Sequence, residues 1–150
     1  MNRNASTILI IAVAAILICS FISEPSWIDD TKPFLKSLME KEILSTLGII
    51  LTISLASAAQ LHLEFNKLEE FHKKIFLVNT RKAVHKSAIT LIVLFFIAIM
   101  LVLTKPILAE STRSVAFFNA FGLFVIFLNI LTLYDLTNAA FAIKPYISEE

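Results

Sequence analysis

The chain has 150 residues, 57% of them hydrophobic, 17% charged, and a net charge of +1 at pH 7. The apolar content is higher than a soluble domain of this length needs, and the near-neutral charge argues against direct nucleic-acid binding, which requires a concentrated basic surface. The single cysteine, Cys19, excludes an internal disulfide and a CxxC redox pair. We therefore expect one domain in a membrane.

Four segments without charged residues lie between clusters of charge, at residues 4–23, 43–61, 87–104 and 114–134. Each is close to the roughly 20 apolar residues that a helix needs to cross a bilayer. The sequence therefore predicts an all-α membrane protein with four transmembrane helices, at about 5–22, 43–61, 87–104 and 114–134. The first segment has no clear cleavage signal, so we expect it to be a retained helix rather than a signal peptide.

Lysine and arginine are distributed unevenly between the segments that connect the spans. Residues 62–86 hold six of them, residues 23–42 hold three, and the short third loop carries Lys105 and Arg113. Because cytoplasmic loops carry the excess of positive charge, we expect both termini and the 62–86 segment to be cytoplasmic.

The outer segment between the first two spans contains a helical pattern. Asp29 to Thr31 resemble a helix start, and Pro33 suits a first turn. Apolar side chains at Phe34 and Met39 then fall on one face, which predicts a short amphipathic outer helix. It either covers the ends of the spans or senses lipid packing and external contacts.

The second span is predicted to continue beyond the membrane as a cytoplasmic helical hairpin at about 62–86. Apolar side chains, including Leu61 and Phe65, recur at helical spacing, with Thr80 as the N-cap of the next helix. The apolar stripe needs a partner, which is the start of the third helix, a neighbouring subunit or a cytosolic protein. The charged residues that would dock a cytosolic protein are Glu64, Lys67, Glu69, Glu70, Lys73, Lys74, Arg81 and Lys82.

The charge-free segments hold small and polar residues but no Asp, Glu, Lys, Arg or His, which argues against an ion-coupled transporter. Asn119 and Asn129 in the fourth span either bond to a neighbouring helix or line a pore in a homo-oligomer. A small-residue face on the second span serves either packing within the bundle or a subunit interface. Its members are Ser45, Gly48, Thr52, Ala56 and Ala59.

Enzyme chemistry finds no support in the sequence. His62, His72 and His85 are not spaced to place two metal ligands on one helical turn. No phosphate-binding glycine loop and no nucleophile motif is present. We expect no catalytic residue, no bound metal and no cofactor.

The five residues at the end of the fourth span, Leu133, Tyr134, Asp135, Leu136 and Thr137, resemble the corresponding end of the RexB proteins of phage exclusion. In architecture alone, the chain is also similar to the membrane subunits of the Kiwa anti-phage system (KwaA). Both resemblances imply phage defence at the bacterial inner membrane. A Kiwa-like protein implies an oligomeric sensor that docks a cytosolic protein, whereas a RexB-like protein implies a channel that depolarises the cell.

We therefore expect a membrane sensor and scaffold that forms homo-oligomers in the lipid bilayer and docks a cytosolic effector on the 62–86 hairpin. The alternative is a RexB-like pore-forming effector, which Asn119, Asn129 and the small-residue face would serve.

Overall fold

The computed structural model describes the backbone of residues 3–72 and 78–141 and the side chains of residues 5–67 and 80–139. In these ranges the chain is helical and has no strand. The α-helices are α1 (Arg3–Ser23), α2 (Pro33–Ser37), α3 (Ile43–His72), α4 (Val78–Leu108) and α5 (Thr112–Phe141). A 3-10 turn at Pro25–Trp27 follows α1, and a π-helical turn at Leu38–Glu42 joins α2 to α3.

Four helical stretches are long and apolar enough to cross a membrane: Ala5–Ser23, Pro33–Lys67, Thr80–Leu108 and Thr112–Ala139. The predicted all-α architecture with four membrane-length helices is confirmed. Helix α1 is the least integrated of the long helices. It packs chiefly on α5 and on the 3-10 turn, and none of residues 5–23 is buried. The fold is therefore a bundle of α3, α4 and α5 with α1 attached to one side.

Two apolar clusters hold the three-helix bundle together, one toward each end, and we name them outer and inner after the orientation predicted from the sequence. The outer cluster contains Met39, Ile43, Leu47, Leu94, Ala98 and Val125. The inner cluster contains Ala58, Leu61, Phe65, Val84 and Leu136. Because early residues of α3 pack with late residues of α4 and the reverse, these two helices run antiparallel.

The outer helix is continuous with the second span, whereas the sequence pattern predicts a separate helix. Leu38 and Ile43, at the two ends of the π-helical turn, both have right-handed helical dihedrals, so the chain passes from α2 into α3 without a break. The predicted helix start at Asp29 to Thr31 is wrong, since α2 begins at Pro33 with Lys32 as an N-cap that makes no side-chain bond.

A close approach fixes the π-helical turn against α5. Met39 is buried, and a Cβ added at Gly122 would lie 2.5 Å from the Met39 sulfur. A Cβ at this position would force the buried Met39 side chain to move, so Gly122 is a packing residue for the outer segment.

At the opposite end, α3 continues past Leu61 to His72, so the predicted extension is confirmed up to that residue. Residues 73–77, which include Lys73 and Lys74, lie outside the described residues. The prediction that Thr80 is an N-cap is wrong, because α4 already begins at Val78.

Candidate functional site

A polar cluster joins three parts of the chain at the outer end of the bundle. The Lys105 ammonium donates to Asp30 Oδ1 at 2.8 Å and to Asn119 Oδ1 at 2.9 Å. The Asn119 amide donates to Asp30 Oδ1 and to the Ile28 carbonyl oxygen, both at 2.9 Å. The outer segment, α4 and α5 are therefore held by four hydrogen bonds at one place.

This cluster corrects one expectation from the sequence. Lys105, expected in the third loop, lies inside α4, which continues to Leu108. Its side chain is only 8% exposed, and it belongs to the apolar stretch Thr80–Leu108. The charge-free segment 87–104 holds no Asp, Glu, Lys, Arg or His, and Lys105 follows it directly in the same helix.

The electrostatics of the cluster favour a charged Asp30. Its partial burial would raise the pKa of the carboxyl group, because a charged group loses hydration there. The hydrogen bonds from Asn119 and Lys105, together with the positive charges of Lys105 and Lys36, outweigh this effect and leave the pKa of Asp30 below its ordinary value. An ion pair this far buried is stable only because every partner is hydrogen-bonded.

The neighbouring Asp29 has a different role, which the sequence pattern does not reveal. Its carboxylate accepts from the backbone N–H of Thr31 at 2.9 Å and from the Thr31 hydroxyl. This local turn is typical of aspartate. It turns the chain directly before α2, and Asp30 is thereby presented to the bundle.

A pocket of about 290 Å³ borders this cluster, lined by Asp30, Glu40 and Lys105 together with apolar residues of α4 and α5. Local sequence patterns do not predict such a site, since Asp30, Lys105 and Asn119 lie far apart in the chain. One signal could have found it: Lys105 directly adjoins an apolar run, at a depth where a lysine needs an anionic partner.

The docking residues predicted on the hairpin lie mainly on the surface where the structure describes them. Glu64, Lys67 and Lys82 are exposed. Arg81 is half-buried, and its guanidinium donates to His62 Nε2 at 3.0 Å. The side chains of Glu69 and Glu70 are, like Lys73 and Lys74, outside the described side chains. The surface therefore presents charges of both signs.

The apolar stripe on the α3 extension finds its partner inside the same chain. Leu61 and Phe65 are buried in the inner cluster against Val84 of α4 and Leu136 of α5. Of the three partners considered, the start of the third long helix therefore covers these two residues, with added cover from the end of α5. This packing makes the α3 extension part of the bundle.

The small-residue face of α3 points away from the bundle. Ser45, Thr52, Ala56 and Ala59 are exposed, and Gly48 is half-buried. The bundle instead buries other residues of α3, including Leu47 and Ser54. Most of this face is not buried within the chain, so a subunit interface is the alternative that stays a prediction.

The two asparagines of the fourth span are both buried inside the chain, 0% exposed for Asn119 and 1% for Asn129. Asn119 bonds to another helix, as the interhelix alternative expects. Asn129 donates to the Val125 carbonyl of its own helix, and its side-chain oxygen has no hydrogen-bond partner among the described residues. Neither side chain lies on the surface that a pore ring would require.

Among the described side chains, no three His, Cys, Asp or Glu residues lie close enough together to hold a metal ion. No protein-family model, no curated protein and no solved structure matches this chain.

Proposed function

We propose that the chain is a membrane sensor and scaffold, in which the outer segment receives a signal and the inner hairpin docks a cytosolic protein. The observation that carries this proposal is the Asp30–Lys105–Asn119 cluster. It ties the outer segment to α4 and α5, and the opposite ends of these two helices pack on the α3 extension.

The geometry offers a route from one side of the bundle to the other. Helix α4 has 31 residues and, at 1.5 Å per residue, is about 45 Å long. A signal that pulls Asp30 from Lys105 leaves a buried ammonium without its counter-charge, which favours a different position of α4. Coupling between two sites of this kind is typically worth about 1–3 kcal/mol.

The inner surface suits a protein partner better than a nucleic acid. Exposed Glu64, Lys67 and Lys82 place both signs of charge on the hairpin, and an acidic group would repel a phosphate backbone. Charge patterns of mixed sign instead give orientation and selectivity between proteins.

The setting in phage defence at the bacterial inner membrane, with both termini cytoplasmic, belongs to the same proposal. It rests on the resemblance of residues 133–137 to RexB proteins and on the architecture shared with Kiwa membrane subunits. Homo-oligomer formation is supported by the exposed small-residue face of α3, which lets helices approach closely in lipid.

The RexB-like pore is the second candidate, and the buried positions of Asn119 and Asn129 count against it. A pore would need these amides to turn from the bundle interior to a lumen between subunits. Purified protein that conducts in planar bilayers, with lower conductance for Asn129→Leu, would establish the pore and displace the scaffold.

The docking surface is tested by charge reversal. Tagged protein is purified from native membranes as wild type, as Lys67→Glu/Lys82→Glu, and as the control Lys32→Glu/Lys41→Glu on the outer segment, where both lysines are exposed. We expect one cytosolic protein to accompany the wild type and the control but not the hairpin variant. Recovery of the same proteins with all three would overturn the proposal.

The coupling is tested separately with the recovered partner. Lys105→Met removes the cation of the outer cluster without touching the hairpin. We expect the partner's Kd to change by about 5- to 150-fold, the range of typical coupling energies. An unchanged Kd would refute the sensor role and leave only the scaffold role.

A further inference from the structure

A second polar site lies at the inner end of the bundle, in a pocket of about 350 Å³ between α3 and α4. Its polar lining consists of His62, Arg81 and His85. Its remaining lining is apolar and includes Leu55, Ala59 and Ala88. The outer cluster and the docking surface make no use of this pocket as a cavity.

The hydrogen bond in the pocket defines which atoms carry protons. A guanidinium has only N–H donors, so Arg81 Nη2 donates and His62 Nε2 accepts across the 3.0 Å between them. The His62 proton is then on Nδ1, where it can be donated to a further acceptor. Arg81 supplies a permanent positive charge in the same pocket.

The charged residues nearest to the pocket in the sequence do not line it. Lys82 and Lys86 on α4 and Glu64 on α3 are exposed and lie outside its lining. The chemistry of the polar lining, a guanidinium with two imidazoles, suits an oxyanion such as a phosphate group.

The depth of the pocket identifies the rest of the ligand. Leu55, Ala59 and Ala88 lie in the charge-free segments 43–61 and 87–104, whereas His62 and His85 lie just outside these segments on α3 and α4. The small alanine side chains leave space on the membrane side. The pocket is thus lined by a guanidinium and two imidazoles at one end and by apolar side chains of the charge-free segments at the other.

We propose that this pocket binds an anionic phospholipid, with its phosphate held by His62, Arg81 and His85 and an acyl chain along Leu55, Ala59 and Ala88. Basic pockets between membrane helices commonly hold lipid headgroups in this manner. A free phosphate ion shares the headgroup chemistry but would leave the apolar half of the pocket unfilled. The proposal is independent of the sensor function.

The test uses full-length protein in detergent micelles, titrated with phosphatidylglycerol, and counts the bound lipid by native mass spectrometry. We expect retention of phosphatidylglycerol by the wild type and affinity lowered about tenfold or more in Arg81→Gln, because a charged hydrogen-bond donor to the phosphate is lost. Lys86→Gln is the matched control, since it removes one exposed cation outside the pocket lining.

A second variant guards against misfolding. His85→Leu removes an exposed imidazole that lines the pocket, and it should also weaken lipid retention while far-UV circular dichroism stays at the wild-type value. Leu55→Trp should block the acyl-chain side and give the same loss, and Leu55 is not part of the small-residue face.

A lipid bound in the pocket, diffuse attraction to surface charge and a bound phosphate ion predict different outcomes of these measurements. Equal loss in Arg81→Gln and in the lysine control would overturn the proposal in favour of diffuse surface charge. Displacement of the lipid by millimolar inorganic phosphate, or equal retention of phosphatidylcholine, would overturn the assignment to an anionic lipid.

Discussion

The two partners of the ion pair at the outer end of the bundle differ in how deeply their side chains are buried. The Lys105 side chain is 8% exposed, whereas the Asp30 side chain is 26% exposed. Removing one partner leaves the other charge behind, and the cost depends on how little water reaches it. Asp30→Leu should therefore destabilise the protein more than Lys105→Met.

The magnitudes follow from the contacts that each substitution removes. Asp30→Leu leaves a nearly buried ammonium bonded only to Asn119, and should cost about 3–5 kcal/mol. Lys105→Met leaves a partly hydrated carboxylate that still accepts from Asn119, and should cost about 2–3 kcal/mol. The double variant has no orphaned charge, so its cost should fall below the sum by about 2 kcal/mol.

The assay is reversible unfolding in mixed micelles of a mild detergent and dodecyl sulfate, followed by the emission of Trp27. This is the single tryptophan, it lies in the 3-10 turn, and it is close in the chain to Asp30. Lys41→Met is the control, since Lys41 is exposed, and it should change the free energy of unfolding by less than about 0.5 kcal/mol. Costs that add within about 0.5 kcal/mol in the double variant would refute the coupling, and a larger cost for Lys105→Met would refute the ordering.

Three further outcomes are expected. Gly122→Ala should lower the free energy of unfolding by about 1–3 kcal/mol through overpacking against Met39. Gly48→Ala should be neutral in the same unfolding assay, because its added Cβ would meet a side chain at 3.8 Å. Equal effects of the two substitutions would contradict the close approach of Gly122 and Met39. Asn129→Leu removes a buried oxygen without a partner among the described residues and should leave the free energy of unfolding unchanged or raise it by up to about 1 kcal/mol, so a marked loss would show that this oxygen is bonded. The pKa of Asp30 is lowered in the folded protein, so the stabilising effect of its carboxylate is present above the unfolded-state pKa and is lost as the pH falls through the folded-state pKa. Trp27 emission should change over that acidic range. The same change in Asp30→Leu would show that another group causes it.

The number and type of helices could be predicted from the sequence alone. Four charge-free stretches of membrane length leave few alternatives, because backbone groups in lipid must bond within their own helix. The extension of α3 to His72 could also be predicted, since the spacing of Leu61 and Phe65 continues past the charge boundary. These features depend on residues that are close together in the chain, so the spacing of apolar and charged residues predicts them.

Which faces meet could be decided only by the tertiary structure. The small residues of α3 predicted a packing face, but the bundle buries Leu47 and leaves Ala56 exposed. In a bilayer, an apolar helix face can contact either lipid or another helix, so hydropathy does not show which face packs inside the bundle.

The composition and the charge pattern by themselves determined that this is a chain of four membrane-length helices with a helix continuing past one end. The tertiary structure decided that Lys105 belongs to α4 and meets Asp30 and Asn119. The physical reason is that a buried charge is stable only with partners in reach, and those partners come from distant parts of the chain.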